Sequence, residues 1–75
     1  MTIEEQIINV MEQSFEIKNI NKNSTNENTE NWDSLSFLIL IVSLEKEFKI
    51  SFTPEELVDL NSFVKIKLAI TGKLF

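Results

Sequence analysis

The stretch Trp32-Asp33-Ser34-Leu35, with the helix it opens, WDSLSFLILIVSLEKEF over residues 32–48, decides how the chain is read. A polar loop precedes it, and the most hydrophobic segment of the sequence follows. Asp33 is the natural N-cap, because a short side-chain oxygen can accept from the unpaired N–H groups of a first turn. That choice leaves the Ser34 hydroxyl free and pointing outward. From Ser34 to Phe48, Phe37, Leu40, Ile41, Leu44 and Phe48 recur at spacings of three and four, which is one face of a helix. Leu35, Leu38, Ile39 and Val42 form a second apolar stripe on the opposite face. Ser36, Ser43 and Glu47 separate the stripes on one side, and Ser34 and Glu45 on the other. A helix apolar on two faces is either central or meets another molecule. Few elements can surround it in a chain this short, so the second stripe is expected to be exposed and to contact a partner. A weak homodimer through the same stripe is the alternative to a monomer.

The chain has 75 residues, which bounds it at one domain, 1–75. It has no cysteine and no histidine. No disulfide can staple the fold, and no thiolate can act as nucleophile or metal ligand. The commonest general base is also missing, and no metal site is expected. With one glycine and one proline, a small β-fold would lack turn residues, so local helical contacts should order the chain. The net charge of −5 argues against nucleic acid and anionic membrane surfaces, which require basic patches. The N-terminus is acidic where a signal peptide needs positive charge, and the apolar run 37–42 is too short to span a bilayer. The expected location is cytoplasmic.

Outward from the central helix, Thr2 and Glu5 form a capping box for a first helix over 3–15, with Ile3, Ile7, Val10 and Met11 at helical spacing and Ile8 beside them. Glu12 and Glu16 read as ordinary solvated positions. A long polar loop covers 16–33, with Ile17 and Ile20 pinning its start and Trp32 its end; a disordered spacer over 22–30 is the alternative reading. Residues 49–52 form an extended link with Ile50 and Phe52 turned inward. Thr53-Pro54-Glu55-Glu56 signals a helix start three ways: a Thr N-cap, a Pro at the first position and a capping box closed by Glu56. That third helix is expected over 54–60. Ser62 caps a fourth helix over 63–71, with Phe63, Ile66 and Ile70 inward and Gly72 as its C-terminal stop. The fold class is all-α, a four-helix bundle with a long first loop and a short third helix.

These residues resemble one family. Asp33-Ser34-Leu35, the helix ending Leu44-Glu45-Lys46-Glu47-Phe48, the link Ile50-x-Phe52-x-Pro54-Glu55-Glu56 and Ser62-Phe63 together resemble an acyl carrier protein, of the small stand-alone type given the Trp before the motif. The resemblance is strong from Trp32 to Ile70 and rests on pattern alone in the first helix. It implies a 4′-phosphopantetheine arm, taken from coenzyme A by a phosphopantetheinyl transferase and attached to Ser34, with Asp33 and Leu35 as the flanking motif. The arm's thiol would hold an acyl or aminoacyl group as a thioester, which suits a chain with no thiol of its own. A phosphate at Ser34 would lie at a helix N-terminus, where free N–H groups favour an anion.

The family also implies cargo held between the second helix and the last two, here near Ile41, Leu44, Leu57 and Ile66, although for each of these residues singly core packing is the better reading. Implied partners are a loading ligase and acyltransferase or synthase enzymes. Ile39 and Lys46 stand where acids are common in the family, so docking should rest on Leu35, Leu38, Ile39 and Val42, with Glu45, more than on charge. That departure suggests a dedicated partner in a specialised biosynthetic pathway. Lys67 stands where an apolar residue is usual, and its stem is expected to snorkel. Two other readings stay open at this stage. One is a carrier-like interaction module without cofactor, acting through the second stripe of the central helix. The other is a serine hydrolase centred on Ser34, which lacks a base to activate the hydroxyl.

Overall fold

The computed structural model describes residues 2–75. Four helices follow in order: α1 (Ile3–Phe15), α2 (Ser34–Phe48), α3 (Pro54–Val58) and α4 (Phe63–Leu74). Each starts at the cap its sequence specifies. The Thr2 and Thr53 hydroxyls accept from the Glu5 and Glu56 amides, and both capping boxes are closed. Asp33 caps α2 and Ser62 caps α4.

One core joins the helices. Ile7, Met11 and Phe15 of α1, Leu40, Ile41 and Leu44 of α2, and Phe63, Ile66 and Ile70 of α4 are buried, together with Ile20 and Leu60 from the connections. Phe37 and Phe48, at the ends of the inner stripe of α2, are packed against this core but only partly buried, as are Ile17, Trp32, Ile50, Phe52 and Leu57. The outer stripe of α2 is exposed: Leu35 at 69%, Leu38 at 55%, Ile39 at 47% and Val42 at 50%. So the central helix buries one face only.

Two helix ends differ from the sequence expectation. Helix α3 stops at Val58 rather than residue 60. The Asp59 and Leu60 amides donate to the Glu56 and Leu57 carbonyls, the tighter three-residue step. This swings Leu60 into the core and turns the chain toward the Ser62 cap. Helix α4 does not stop at Gly72 but runs to Leu74, with Phe75 as cap. The added turn places Lys73 Nζ 2.9 and 2.8 Å from the two Glu56 carboxylate oxygens and 5.3 Å from the centre of the Phe52 ring. These contacts offset a glycine inside a helix. The left-handed C-caps instead fall to Glu16 (φ 54°) and Lys49 (φ 55°).

The long loop folds back on itself. Ile20 N–H donates to the Glu12 carboxylate (3.3 Å), so Glu12 holds the loop start rather than standing free in solvent. Asn21, Thr25 and Asn28 side chains accept from the Asn23, Asn28 and Thr25 amides respectively, the local turns these residue types favour. Residues 24–26 then pair with the α3–α4 joint: Phe63 N–H donates to the Ser24 carbonyl (2.9 Å) and Asn26 N–H to the Asn61 carbonyl (3.0 Å). A single antiparallel bridge, Thr25 with Ser62, lies between them. Residues 24–26, inside the segment for which a disordered spacer was the alternative reading, are thus tied to the far end of the chain. Lys67 is neutralised across the bundle, its Nζ 2.9 Å from Glu4 Oε1.

Two outcomes test these helix ends. A Cβ added at Gly72 meets nothing within 4 Å, and its φ is not positive. Gly72→Ala should therefore stabilise the protein by about 0.5–1 kcal/mol in urea unfolding; were Gly72 a left-handed cap, the same change would destabilise it. The Glu56 carboxyl lies below its ordinary value of 4.5, chiefly because Lys73 and the Thr53 amide hydrogen-bond its charged form. Its contribution to stability is fully present above pH 4.5 and is lost as pH falls through the lowered folded-state value. Glu56→Gln should flatten that part of the acid limb in urea melts at stepped pH.

Candidate functional site

The N-terminus of α2 is where the chemistry-bearing residues meet. Asp33 takes an extended conformation, and its Oδ1 accepts from Ser36 N–H at 2.9 Å while its carbonyl accepts from Phe37 N–H at 2.8 Å. Ser34 is therefore the first residue of the helix. It is exposed, and among the described residues no hydrogen bond engages its hydroxyl. The amides of Ser34 and Leu35 are the free N–H groups of the first turn. A nucleophilic hydroxyl beside two free donors at the positive end of a fifteen-residue helix suits the attachment of an anionic group. Asp33 is a repulsive neighbour for such a group, so its contribution is the cap that sets the geometry.

Behind this turn, the chain is fixed to the end of α1. Trp32 stacks on Phe15, ring centres 5.0 Å apart and planes at 29°. Asn31, in the left-handed region at φ 66°, donates from Nδ2 to the Phe15 carbonyl at 2.8 Å. Asparagine tolerates that conformation better than most residues, and the carbonyl it meets is one that a helix end leaves unpaired. Sequence reasoning identified Trp32 as a pin and missed Asn31. Its signal was present, since a polar residue able to turn left sits just before the motif.

A groove of about 300 Å³ opens beside Ser34, lined by Asn26, Trp32, Asp33, Ser34, Phe37, Leu57, Val58, Leu60 and Asn61. It differs from the slot expected near Ile41, Leu44, Leu57 and Ile66. Ile41, Leu44 and Ile66 are at most 5% exposed and pack the core. Only Leu57 belongs to both, because α3 stands at the groove's rim, with Val58 79% exposed. Of the residues expected to dock partners, Leu35, Leu38, Ile39 and Val42 share the open face of α2. Glu45 is partly committed elsewhere: its Oε2 accepts from Phe52 N–H at 2.9 Å, which fastens the α2–α3 link.

Residues 32–70, more than half of the chain, match the family described as the phosphopantetheine attachment site. The chain belongs to that family. Its fold agrees over almost its whole length: it superposes on the solution NMR structure of a holo acyl carrier protein from Geobacter metallireducens with a TM-score of 0.86, at 29% identity, covering 99% of this chain and 87% of that one. No curated protein matches the sequence. The chain is thus an acyl carrier with the acyl-carrier fold and a phosphopantetheine cofactor, not a catalyst. The cofactor-free module and the hydrolase are set aside on the family match. The free, exposed hydroxyl at the start of α2 fits the group chemically.

Proposed function

We propose that Ser34 is the attachment residue, that the arm it bears holds an acyl or aminoacyl thioester, and that the outer face of α2 presents that cargo to enzymes of a specialised pathway. The observation that carries this reading is the Asp33 cap. It occupies the Ser36 amide and leaves the Ser34 hydroxyl unengaged and exposed inside the matched segment. When bound, the phosphopantetheine group supplies the thiol that this cysteine-free chain lacks. The chain's own residues position it. Asp33 fixes the first turn, Trp32 and Asn31 fix that turn to α1, and the free amides of Ser34 and Leu35 face the phosphate.

A phosphopantetheinyl transferase is the partner that would load the arm. A loading ligase and acyltransferase or synthase enzymes would use it. Leu35, Leu38, Ile39 and Val42 offer these partners an apolar contact surface. Lys46 replaces part of the negative charge that basic enzyme surfaces seek, and Glu45 is occupied by the Phe52 amide. Apolar burial is therefore the main source of affinity and charge steering the lesser one. No helix among the described residues is long and apolar enough to cross a membrane. We place the carrier in the cytoplasm, where coenzyme A is available.

Incubation with coenzyme A and a broad-specificity transferase should add the mass of one phosphopantetheine, mapped to Ser34. Ser34→Ala should add none while unfolding within about 0.5 kcal/mol of the parent, since the side chain is exposed and unbonded. Attachment that survives the substitution would refute the assignment. Ile39→Glu should raise the transferase KM for the carrier by about tenfold, the equivalent of one lost apolar contact of moderate weight. An unchanged KM would remove Ile39 from the docking face.

A further inference from the structure

A run of hydrogen bonds connects the end of α1 to the first turn of α2. Asn31 donates from Nδ2 to the Phe15 carbonyl at 2.8 Å, and its own carbonyl accepts from Asp33 N–H at 3.0 Å. Asp33 then accepts from Ser36 N–H at 2.9 Å through Oδ1 and from Phe37 N–H at 2.8 Å through its carbonyl. Ser34 is held from both sides and takes part in none of these bonds. Its position therefore depends on Asp33, and the position of Asp33 depends on Asn31. The backbone of Asn31 is left-handed, at φ 66°. Glycine would adopt that conformation without side-chain strain, so the conformation alone does not call for asparagine. Asn31 is exposed, so core packing does not call for it either. What asparagine adds is a donor that reaches a carbonyl left unpaired at a helix end. Helix ends fray, and this donor ties down the end that carries Ser34.

We propose that Asn31 is a positioning residue for arm attachment: its carboxamide, acting through Asp33, holds the first turn of α2 so that the Ser34 hydroxyl keeps one attacking arrangement. The proposal rests on attachment at Ser34. Attachment forms a bond from Ser34 Oγ to the pantetheine-bearing phosphorus of coenzyme A. The bond from that phosphorus to the nucleotide's phosphate breaks, the nucleotide phosphate leaves with the electron pair, and the hydroxyl proton passes to a base of the transferase. Such a displacement is sensitive to alignment, and a shift of about 1 Å can cost about a hundredfold in rate. Asn31 therefore acts on the chemical step, whereas Leu35, Leu38, Ile39 and Val42 act on docking. The two contributions separate as kcat and KM.

The test measures kcat and KM for transfer from coenzyme A to the unmodified full chain by a broad-specificity transferase, followed by intact mass. Asn31→Gly keeps the left-handed backbone and removes the donor. Asn31→Asp keeps the shape, tolerates the same φ and sets a carboxylate against the Phe15 carbonyl. Asn31→Gly should lower kcat about fivefold with KM within about twofold of the parent, the effect of one hydrogen bond of ordinary net weight. Asn31→Asp should lower kcat further. In both variants the Ser36 and Phe37 amides should exchange faster with deuterium by a similar factor. Lys67→Met, which removes the ion pair with Glu4, should change neither kcat nor the exchange of these amides, which separates positioning from a general loss of stability. Unchanged kcat in both Asn31 variants, a change confined to KM, or a kcat loss without faster exchange at Ser36 and Phe37 would overturn the role of Asn31 and leave Ser34 as the attachment site. No mass gain in the parent protein would overturn both. The two variants perturb the residue differently, so either one decides the question if the other fails to fold.

Discussion

Trp32 stacks on Phe15 at 5.0 Å, and Asn31 donates to the Phe15 carbonyl at 2.8 Å. These contacts join the end of α1 to the start of α2 across the long loop. Closing such a loop has an entropic cost that grows only slowly with its length, but the point of closure must be specific. Here an aromatic pair supplies the attraction, and a left-handed asparagine supplies the direction. Asp33 follows immediately and caps α2, so the position of Ser34 is set by three consecutive residues. Without that join, α2 could still form, but its N-terminus would have no fixed relation to α3 or to the loop.

The second constraint is size. Seventy-five residues cannot enclose a helix that is apolar on two faces. Leu40, Ile41 and Leu44 are buried in the core shared with α1 and α4, whereas Leu35, Leu38, Ile39 and Val42 stay exposed. The exposed stripe and Ser34 therefore lie on the same helix.

The third helix shows how a short element can be held with little burial. None of its five residues is buried. It is fixed instead by its ends: the Thr53–Glu56 capping box, Lys73 bridging Glu56 and Phe52, and Leu60 anchored in the core just beyond it. Such an element sits at the low end of local stability. It also forms one rim of the groove beside Ser34.

Much of this was legible in the sequence because it is local. Capping boxes, the Asp33 cap and helical spacing depend on residues three or four apart, so α1 and α2 begin and end where the pattern places them. The two apolar stripes of α2 were legible for the same reason, and chain length indicated which could not be buried. What the tertiary structure alone decided depends on distant partners. Glycine at 72 is a stop signal by local rules, yet Glu56 and Phe52 draw Lys73 onto a further turn. Leu60 reads as helical until its place in the core shortens α3. Glu12 reads as a solvated acid and Glu45 as a docking residue until the loop and the link bring the Ile20 and Phe52 amides to them. The pairing of Asn26 with Asn61 joins residues 35 positions apart, and no periodicity announces it. Short-range hydrogen bonds write themselves into the residue order, whereas these contacts exist only once the core has set where each segment lies.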